Sequence, residues 1–125
     1  MKIIVAVARV LLGLAFVVFG LNIFLQFLHQ PPPPSGPAGD FAKALFVSHY
    51  LYVVGALQVI GGALLLAGRF VPLGLTLLGP VIVNILLFHI LLYPTGLPVA
   101  IVVAVLALIV LWHHRASFAG LLKAR

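Results

Sequence analysis

Six nitrogen-bearing polar side chains interrupt the long apolar segments of this chain and are its candidates for chemistry. A polar group in hydrocarbon is unfavourable unless it is hydrogen-bonded, so such residues either fasten helices together or contact a ligand. Most of them carry amide or guanidinium groups, and one is a histidine. The candidate ligand-binding residues are Arg9, Asn22, Gln26, Gln58, Asn84 and His89.

The first apolar segment carries two separate polar features. Asn22, Gln26 and His29 recur at i, i+4 and i+7, so on a helix they form one stripe. Arg9 belongs to a different stripe, about two turns from the start of the segment. Its guanidinium can snorkel to lipid headgroups, or it can point inward and bind a carbonyl or an anionic group. Both interpretations stay open.

Gln58 in the second segment and Asn84 in the third are expected at a similar depth. Gln58 shares a helical face with Gly55 and Gly62, where helices approach closely and an amide can hydrogen-bond across the contact. It serves either as interhelical glue or as a ligand contact. We expect Asn84 to join Gln58 in one mid-membrane polar layer, as glue that also anchors a ligand. His89 lies about 140° further round its helix and belongs with the outer mouth of the bundle.

Three histidines, His29, His49 and His89, are expected to gather at that mouth, where the first loop also holds Asp40. Imidazoles and a carboxylate are ligands of zinc and copper. No two of these histidines lie at i, i+4 on one helix, which favours ordinary interfacial histidines, so we predict no metal site. The chain contains no cysteine, which excludes dithiol–disulfide chemistry, thiolate metal sites and haem attachment through a C-x-x-C-H motif.

The segments that position these residues are long and apolar. Hydrophobic residues make up 65% of the chain and charged residues only 6%, whereas soluble domains carry about 25% charged residues. Lipid is therefore the solvent for most of the chain, and about 20 apolar residues let a helix cross it. None of the segments alternates apolar and polar residues, which excludes β-barrel strands and leaves helices.

We predict an all-α fold, a membrane four-helix up-down-up-down bundle formed by a single domain over residues 1–125. Short connections make consecutive helices antiparallel neighbours. The first segment is expected to be a retained span, since its apolar run is about twice the length of a signal-peptide core. The predicted spans are residues 3–28, 50–67, 71–93 and 96–114, with an outer loop and short helix at 29–49 and a cytoplasmic tail at 115–125.

The Pro-rich outer loop begins with the sequence HQPPPPSGPAGD at residues 29–40. Successive prolines favour the polyproline II conformation and cannot continue a helix. Asp40 is expected to N-cap a short interfacial helix with the sequence FAKALFVSHY. The loop is either a stiff spacer or a lid over the outer mouth.

The basic residues set the expected orientation. With four spans, Lys2, Arg9, Arg69, Arg115 and the basic tail fall on one side, and the opposite side has only Lys43. The positive-inside rule then places both termini in the cytoplasm, with the protein integral to a bacterial cytoplasmic (inner) membrane. The net charge of +6 follows from this asymmetry and gives no support to nucleic-acid binding.

Three stretches resemble the small DoxX-like membrane proteins: ARVLLGLAFVVFGLNIF in the first span, YLYVVGALQVIGGALLLAGRFVPLGLTLL across the second, and NILLFHILL in the third. The resemblance implies a four-helix membrane bundle. By position, Arg9, Asn22 and Gln58 match polar points of the family pattern, and many relatives have a carboxylate near the place of Gln58. Some members are linked to thiosulfate–quinone or thiol-related oxidoreduction, so for a redox role the resemblance implies electrons carried either by a bound quinone or by a partner subunit.

Three hypotheses of function follow. The first is a non-catalytic accessory or binding subunit whose bundle holds a hydrophobic ligand, a quinone or a lipid, with Asn22, Gln58, Asn84 and His89 at its polar end. The second is a membrane subunit of a quinone-linked oxidoreductase, in which a bound quinone or a partner subunit carries the electrons. The third is a structural or interaction module in which another helix satisfies every polar group. Expected partners are the lipid bilayer, the hydrophobic ligand, and a second copy or a partner subunit.

Overall fold

The computed structural model describes residues 2–28 and 34–124, and every regular element within these ranges is helical. Four helical segments are long and apolar enough to cross a membrane, which confirms the predicted all-α fold with four candidate spans. The direction of the chain across the bilayer stays a prediction. The helices are α1 (Lys2–Leu25), α2 (Pro37–Val47), α3 (Tyr50–Ala67), α4 (Val71–Leu91) and α5 (Leu97–His113), with 3-10 segments at Pro94–Gly96 and Arg115–Leu122.

Helix α1 ends at Leu25, earlier than the predicted span end at residue 28. Gln26 adopts a left-handed conformation with φ of 51°, and its N–H donates to the carbonyl oxygen of Asn22 at 2.8 Å. A residue in this conformation cannot continue a right-handed helix. Hydropathy does not predict this earlier end of α1, because residues 26–28 suit the membrane interface as well as the hydrocarbon core.

Helix α2 corrects the sequence interpretation of the outer loop. It begins at Pro37, with Gly36 as its N-cap, so Asp40 is not the capping residue. Proline is favoured in the first turn because its fixed φ suits a helix and its missing N–H needs no partner there. Asp40 lies within that first turn, where its negative charge is favourable to the helix dipole.

The closest packing in the bundle is between α1 and α3, which run antiparallel with glycines facing each other. A Cβ atom at Gly13 would lie 2.8 Å from the carbonyl oxygen of Gly62, and the reverse substitution gives the same distance to Gly13. Further along, a Cβ atom at Gly20 would lie 3.1 Å from the carbonyl oxygen of Gly55. These glycines let two backbones approach to a distance that side chains would prevent.

The remaining long helices complete a ring in which α3 packs on α4, α4 on α5, and α5 on α1. The end of the ring where α1 begins, α3 turns into α4 and α5 ends is called the basic end here. The opposite end, where α2 contacts α4 through Phe41 and Phe88, is called the loop end. The largest fully buried side chains, one from each spanning helix, are Leu12, Leu65, Leu78 and Val110.

We predict that Gly62→Ala destabilises the bundle, because the new methyl group meets the backbone of Gly13 and cannot be accommodated by a rotamer change. Overpacking of this kind typically lowers the free energy of unfolding by about 1–3 kcal/mol. The measurement is thermal unfolding of the detergent-solubilised protein by circular dichroism.

Gly79→Ala is the matched control, since Gly79 is also helical but a Cβ atom there meets nothing within 4 Å. Both substitutions gain the same helix propensity. The difference between their melting temperatures therefore reports the contact, and equal melting temperatures would contradict the close α1–α3 packing.

Candidate anion-binding site

The site begins at the end of α3, where Gly68 adopts φ of 68° and stops the helix. The N–H of Gly68 donates to the carbonyl oxygen of Leu65 and that of Arg69 to the carbonyl oxygen of Leu64, each at 3.2 Å. This pair of bonds is a Schellman motif, which satisfies part of a helix's terminal carbonyls. The carbonyl oxygen of Leu66 receives neither bond.

Arg9 of α1 supplies the additional donors. Its guanidinium donates through one terminal nitrogen to the carbonyl oxygens of Leu65 and Leu66, the latter at 3.3 Å. Of the two interpretations left open by the sequence, the side chain therefore follows the second and binds backbone carbonyls. A cation is favourable here because the carbonyl end of a helix carries a partial negative charge.

This contact also fixes the level of Arg9 in the bundle. The side chain lies beside Gly68, whose Cβ position is 3.1 Å from the Arg9 guanidinium. Arg9 is thus level with the α3–α4 turn, at the basic end, although it is a full two turns into α1 by count. The first turns of α1 extend beyond the end of α3.

A cleft of about 250 Å³ opens next to the Arg9 guanidinium. Its cationic groups, Lys2 and Arg9, come from α1, and two histidines lie at the end of α5. Its apolar floor includes Val5 and Val71, which are both buried. The residues that line it are Lys2, Val5, Ala6, Arg9, Gly68, Val71, His113 and His114.

The two histidines at the end of α5 lie edge to face, with ring centroids 5.0 Å apart. His114 Nδ1 is 3.1 Å from the carbonyl oxygen of Val110, which fixes the orientation of its ring. No sequence spacing groups His113 and His114 with Arg9, which lies on another helix. That grouping follows from the antiparallel packing of α5 on α1, which hydropathy does not encode.

No carboxylate side chain is available to neutralise this cleft. The whole sequence contains a single acidic residue, Asp40, and it lies in α2 at the loop end. The Arg9 guanidinium has five N–H groups, and only those of one terminal nitrogen are used by the α3 carbonyls. The arrangement can therefore bind an anion that comes from outside the chain, using charge-assisted hydrogen bonds.

Asn22 and Gln26 do not extend this site. Asn22 is only 8% exposed, and its side-chain oxygen accepts from the N–H of Leu28 at 2.8 Å, which holds the chain as it leaves α1. Gln26 is exposed at the loop end. The stripe predicted for Asn22, Gln26 and His29 cannot be followed further, because His29 lies outside the described residues.

Gln58 is buried in the contact between α3 and α1. Its side chain is 8% exposed, and its Cβ is 2.9 Å from the Cβ position of Gly20. Among the described residues no group hydrogen-bonds to its amide. Its amide atoms are not fully buried, since no fully buried side-chain nitrogen or oxygen among the described residues lacks a partner.

Asn84 is placed differently from the sequence expectation. Its side chain is exposed and donates to the carbonyl oxygen of Pro80 in its own helix at 2.8 Å. The buried face of α4 carries Gly74, Leu78 and Val81, and Asn84 is about 120° away from Leu78 around the helix. Asn84 and Gln58 therefore do not form one interhelical layer in this chain.

His89 lies at the loop end, partly buried, with Nδ1 2.8 Å from the carbonyl oxygen of Ile85. His49 is exposed and stacks on Tyr52 with a centroid distance of 5.5 Å. Within residues 2–28 and 34–124 no three side chains of the metal-ligating types come together. His29, the third histidine expected at this end of the bundle, lies outside those ranges.

Together, four long apolar helices and a polar cleft at one end of their ring define an integral membrane protein of the small helical-bundle class. The sequence matches the DoxX family over residues 4–90, well over half of the chain, and the protein belongs to that family. The match ends in the last turn of α4, so His113 and His114 lie outside it. We found no match among curated proteins and none among solved structures.

We predict that Gly96→Ala displaces the His89 ring, since a Cβ atom at position 96 would overlap the imidazole. Gly96 has φ of −89°, so alanine fits the backbone and the effect is purely steric. Because the ring tip can turn away, the loss in free energy of unfolding should be that of an off-rotamer side chain, about 0.5–1.5 kcal/mol, measured by thermal unfolding.

His89→Ala removes the ring and so provides the second arm of a double-mutant cycle. Alanine at position 96 should then carry no further penalty in the double variant. Fully additive losses would contradict the contact between His89 and Gly96.

Proposed function

We propose that the protein is a lipid-binding membrane protein that holds the phosphate group of an anionic lipid in the cleft beside Arg9. This deepens the expectation of a bound lipid but moves its polar end from the middle of the bundle to the basic end. The observation that carries the proposal is that Lys2 and Arg9 line the cleft with two histidines, and that the chain's one acidic side chain, Asp40, lies at the other end of the bundle.

The chemistry of the cleft suits an amphiphile more than a free ion. Arg9 is held in place by the α3 carbonyls, so little side-chain entropy remains to be lost when an anion binds. Val5 and Val71 form an apolar floor beneath the charges. The outer surface of α1 continues this apolar character, with Ile3 79% exposed, and can accept an acyl chain.

We predict that the purified protein retains phosphatidylglycerol in preference to phosphatidylcholine, measured by native mass spectrometry during lipid titration. Arg9→Gln should weaken phosphatidylglycerol binding about tenfold or more, the worth of a charge-assisted hydrogen bond. Lys2→Gln should weaken it to a smaller degree, and since Lys2 is exposed, this variant tests the cleft without disturbing the core.

Arg69→Gln is the matched control for charge. Arg69 is an exposed arginine at the same end of the bundle, but it does not line the cleft. It should leave phosphatidylglycerol binding within about twofold, because exposed charges outside the contact act weakly. Equal losses in Arg69→Gln and Arg9→Gln, or no preference between the two lipids, would contradict the proposal.

A second candidate is a hydrophobic ligand, such as a quinone, whose carbonyl oxygen accepts from the Gln58 amide inside the bundle. The specific observation in its favour is that Gln58 as a residue is only 8% exposed, while its amide keeps some accessible surface and has no hydrogen-bond partner among the described residues. A quinone bound there would agree with the alternative of a quinone-linked oxidoreductase subunit. The ligand and its subunit role both remain proposals.

We predict for this candidate that Gln58→Leu loses a small molecule that co-purifies with the wild-type chain, detected by mass spectrometry of the gently solubilised protein. Gln26→Leu is the control, as Gln26 is exposed. Equal occupancy in Gln58→Leu and wild type would count against this second ligand.

A further inference from the structure

The feature that the proposed function leaves unexplained is the exposed amide of Asn84. Asn84 lies seven residues before the end of α4 at Leu91, which places it about 10 Å from that helix end. A hydrocarbon core is about 30 Å thick, so an exposed side chain at this depth faces lipid tails. Lipid tails offer no hydrogen bond.

The hydrogen-bond requirements of this surface are only partly met within the helix. Asn84 Nδ2 donates to the carbonyl oxygen of Pro80, which leaves its second N–H and both lone pairs of Oδ1 to be satisfied. Pro80 has no N–H, so it cannot donate to the carbonyl oxygen of Thr76 one turn earlier. Thr76, Pro80 and Asn84 are all exposed on the same side of α4.

The apolar residues around Asn84 follow a heptad pattern. Assigning Asn84 to position a places Leu87 at d and Leu91 at the next a, with spacings of three and four residues. Leu87 and Leu91 are 47% and 71% exposed, and Leu73, at an earlier d position, is 50% exposed. The seam consists of Leu73, Leu77, Pro80, Asn84, Leu87 and Leu91.

A seam of this kind indicates a helix as the occupant. The other long helices pack on the opposite side of α4, against Gly74, Leu78 and Val81, so the described residues supply no helix for it. A single asparagine at an a position is a device that fixes register and partner number in paired helices. In hydrocarbon it also provides an interhelical hydrogen bond.

We propose that a second copy of this chain covers the seam, so that the protein forms a two-fold symmetric dimer through α4. An amide is self-complementary, since it carries a donor and an acceptor side by side. A two-fold axis perpendicular to the membrane brings Asn84 opposite its own copy, and each Nδ2 then donates to the Oδ1 of the other chain. This interface lies apart from the cleft beside Arg9 and is independent of the proposed lipid.

The first test is disulfide cross-linking of the full chain in liposomes. The natural chain contains no cysteine, so a single introduced thiol reports one position. Leu87→Cys lies on the seam and should cross-link. Val102→Cys is the control, because it is exposed on α5 at a comparable distance from the loop end, and it should not cross-link. Cross-linking through Val102→Cys but not through Leu87→Cys would overturn the proposal.

The second test is the monomer–dimer equilibrium in liposomes, followed by energy transfer between labelled chains as the lipid-to-protein ratio is varied. Asn84→Leu should raise the dissociation constant about tenfold, in the range expected for interhelical hydrogen bonds. Asn84→Gln keeps the amide and should recover most of the affinity. Since Asn84 is exposed, both variants should keep the wild-type circular dichroism spectrum.

Several outcomes would overturn the second copy as occupant. A wild-type chain that stays monomeric at every lipid-to-protein ratio would do so, as would a dissociation constant unchanged by Asn84→Leu. Co-purification of a different subunit that protects Leu87→Cys from labelling would assign the seam to that subunit instead. Loss of phosphatidylglycerol binding alone would leave the dimer untouched, which separates this inference from the proposed function.

Discussion

In lipid, polar groups have to find their partners within the protein, and this constraint determines how the side chains of this chain are used. Arg9 caps the carbonyls of α3, Asn22 holds the chain leaving α1, and His89 contacts a carbonyl of its own helix. These candidates for ligand binding therefore form hydrogen bonds to backbone groups of the protein. Gln58 and Asn84 differ because their amides keep unused hydrogen-bonding capacity. These two residues are therefore the ones that favour a ligand or a partner from outside the chain.

The part of the fold that the sequence predicts is the set of spans, because the thickness of the bilayer determines how long an apolar helix must be. Apolar length identifies the spans, and the left-handed glycine at Gly68 gives the end of α3 correctly at residue 67. The inward faces of α4 and α5 cannot be predicted, because α5 is apolar on every side and the few polar residues of α4 lie on more than one side of that helix. The sequence alone places Asn84 in the bundle interior, whereas its helix turns it outward.

The candidate site was harder to predict for a different reason. The sequence gives only the distance of Arg9 from the start of its own helix. Its environment is set by α3, which ends beside it. The relation between the two helices is fixed by the facing glycines Gly13 and Gly62. Lys2 and the histidines at the end of α5 line the same cleft as Arg9. Their grouping depends on this register, which hydropathy does not predict.

The position of the four largest fully buried side chains has a consequence for dynamics. Leu12, Leu65, Leu78 and Val110 all lie in the half of the bundle nearer the basic end, so burial stabilises the two halves unequally. Local opening requires the least free energy where few apolar contacts are broken. The helices are therefore held together more firmly at the basic end than at the loop end. Hydrogen exchange in α3 should be slow near Leu65 and faster near Tyr52.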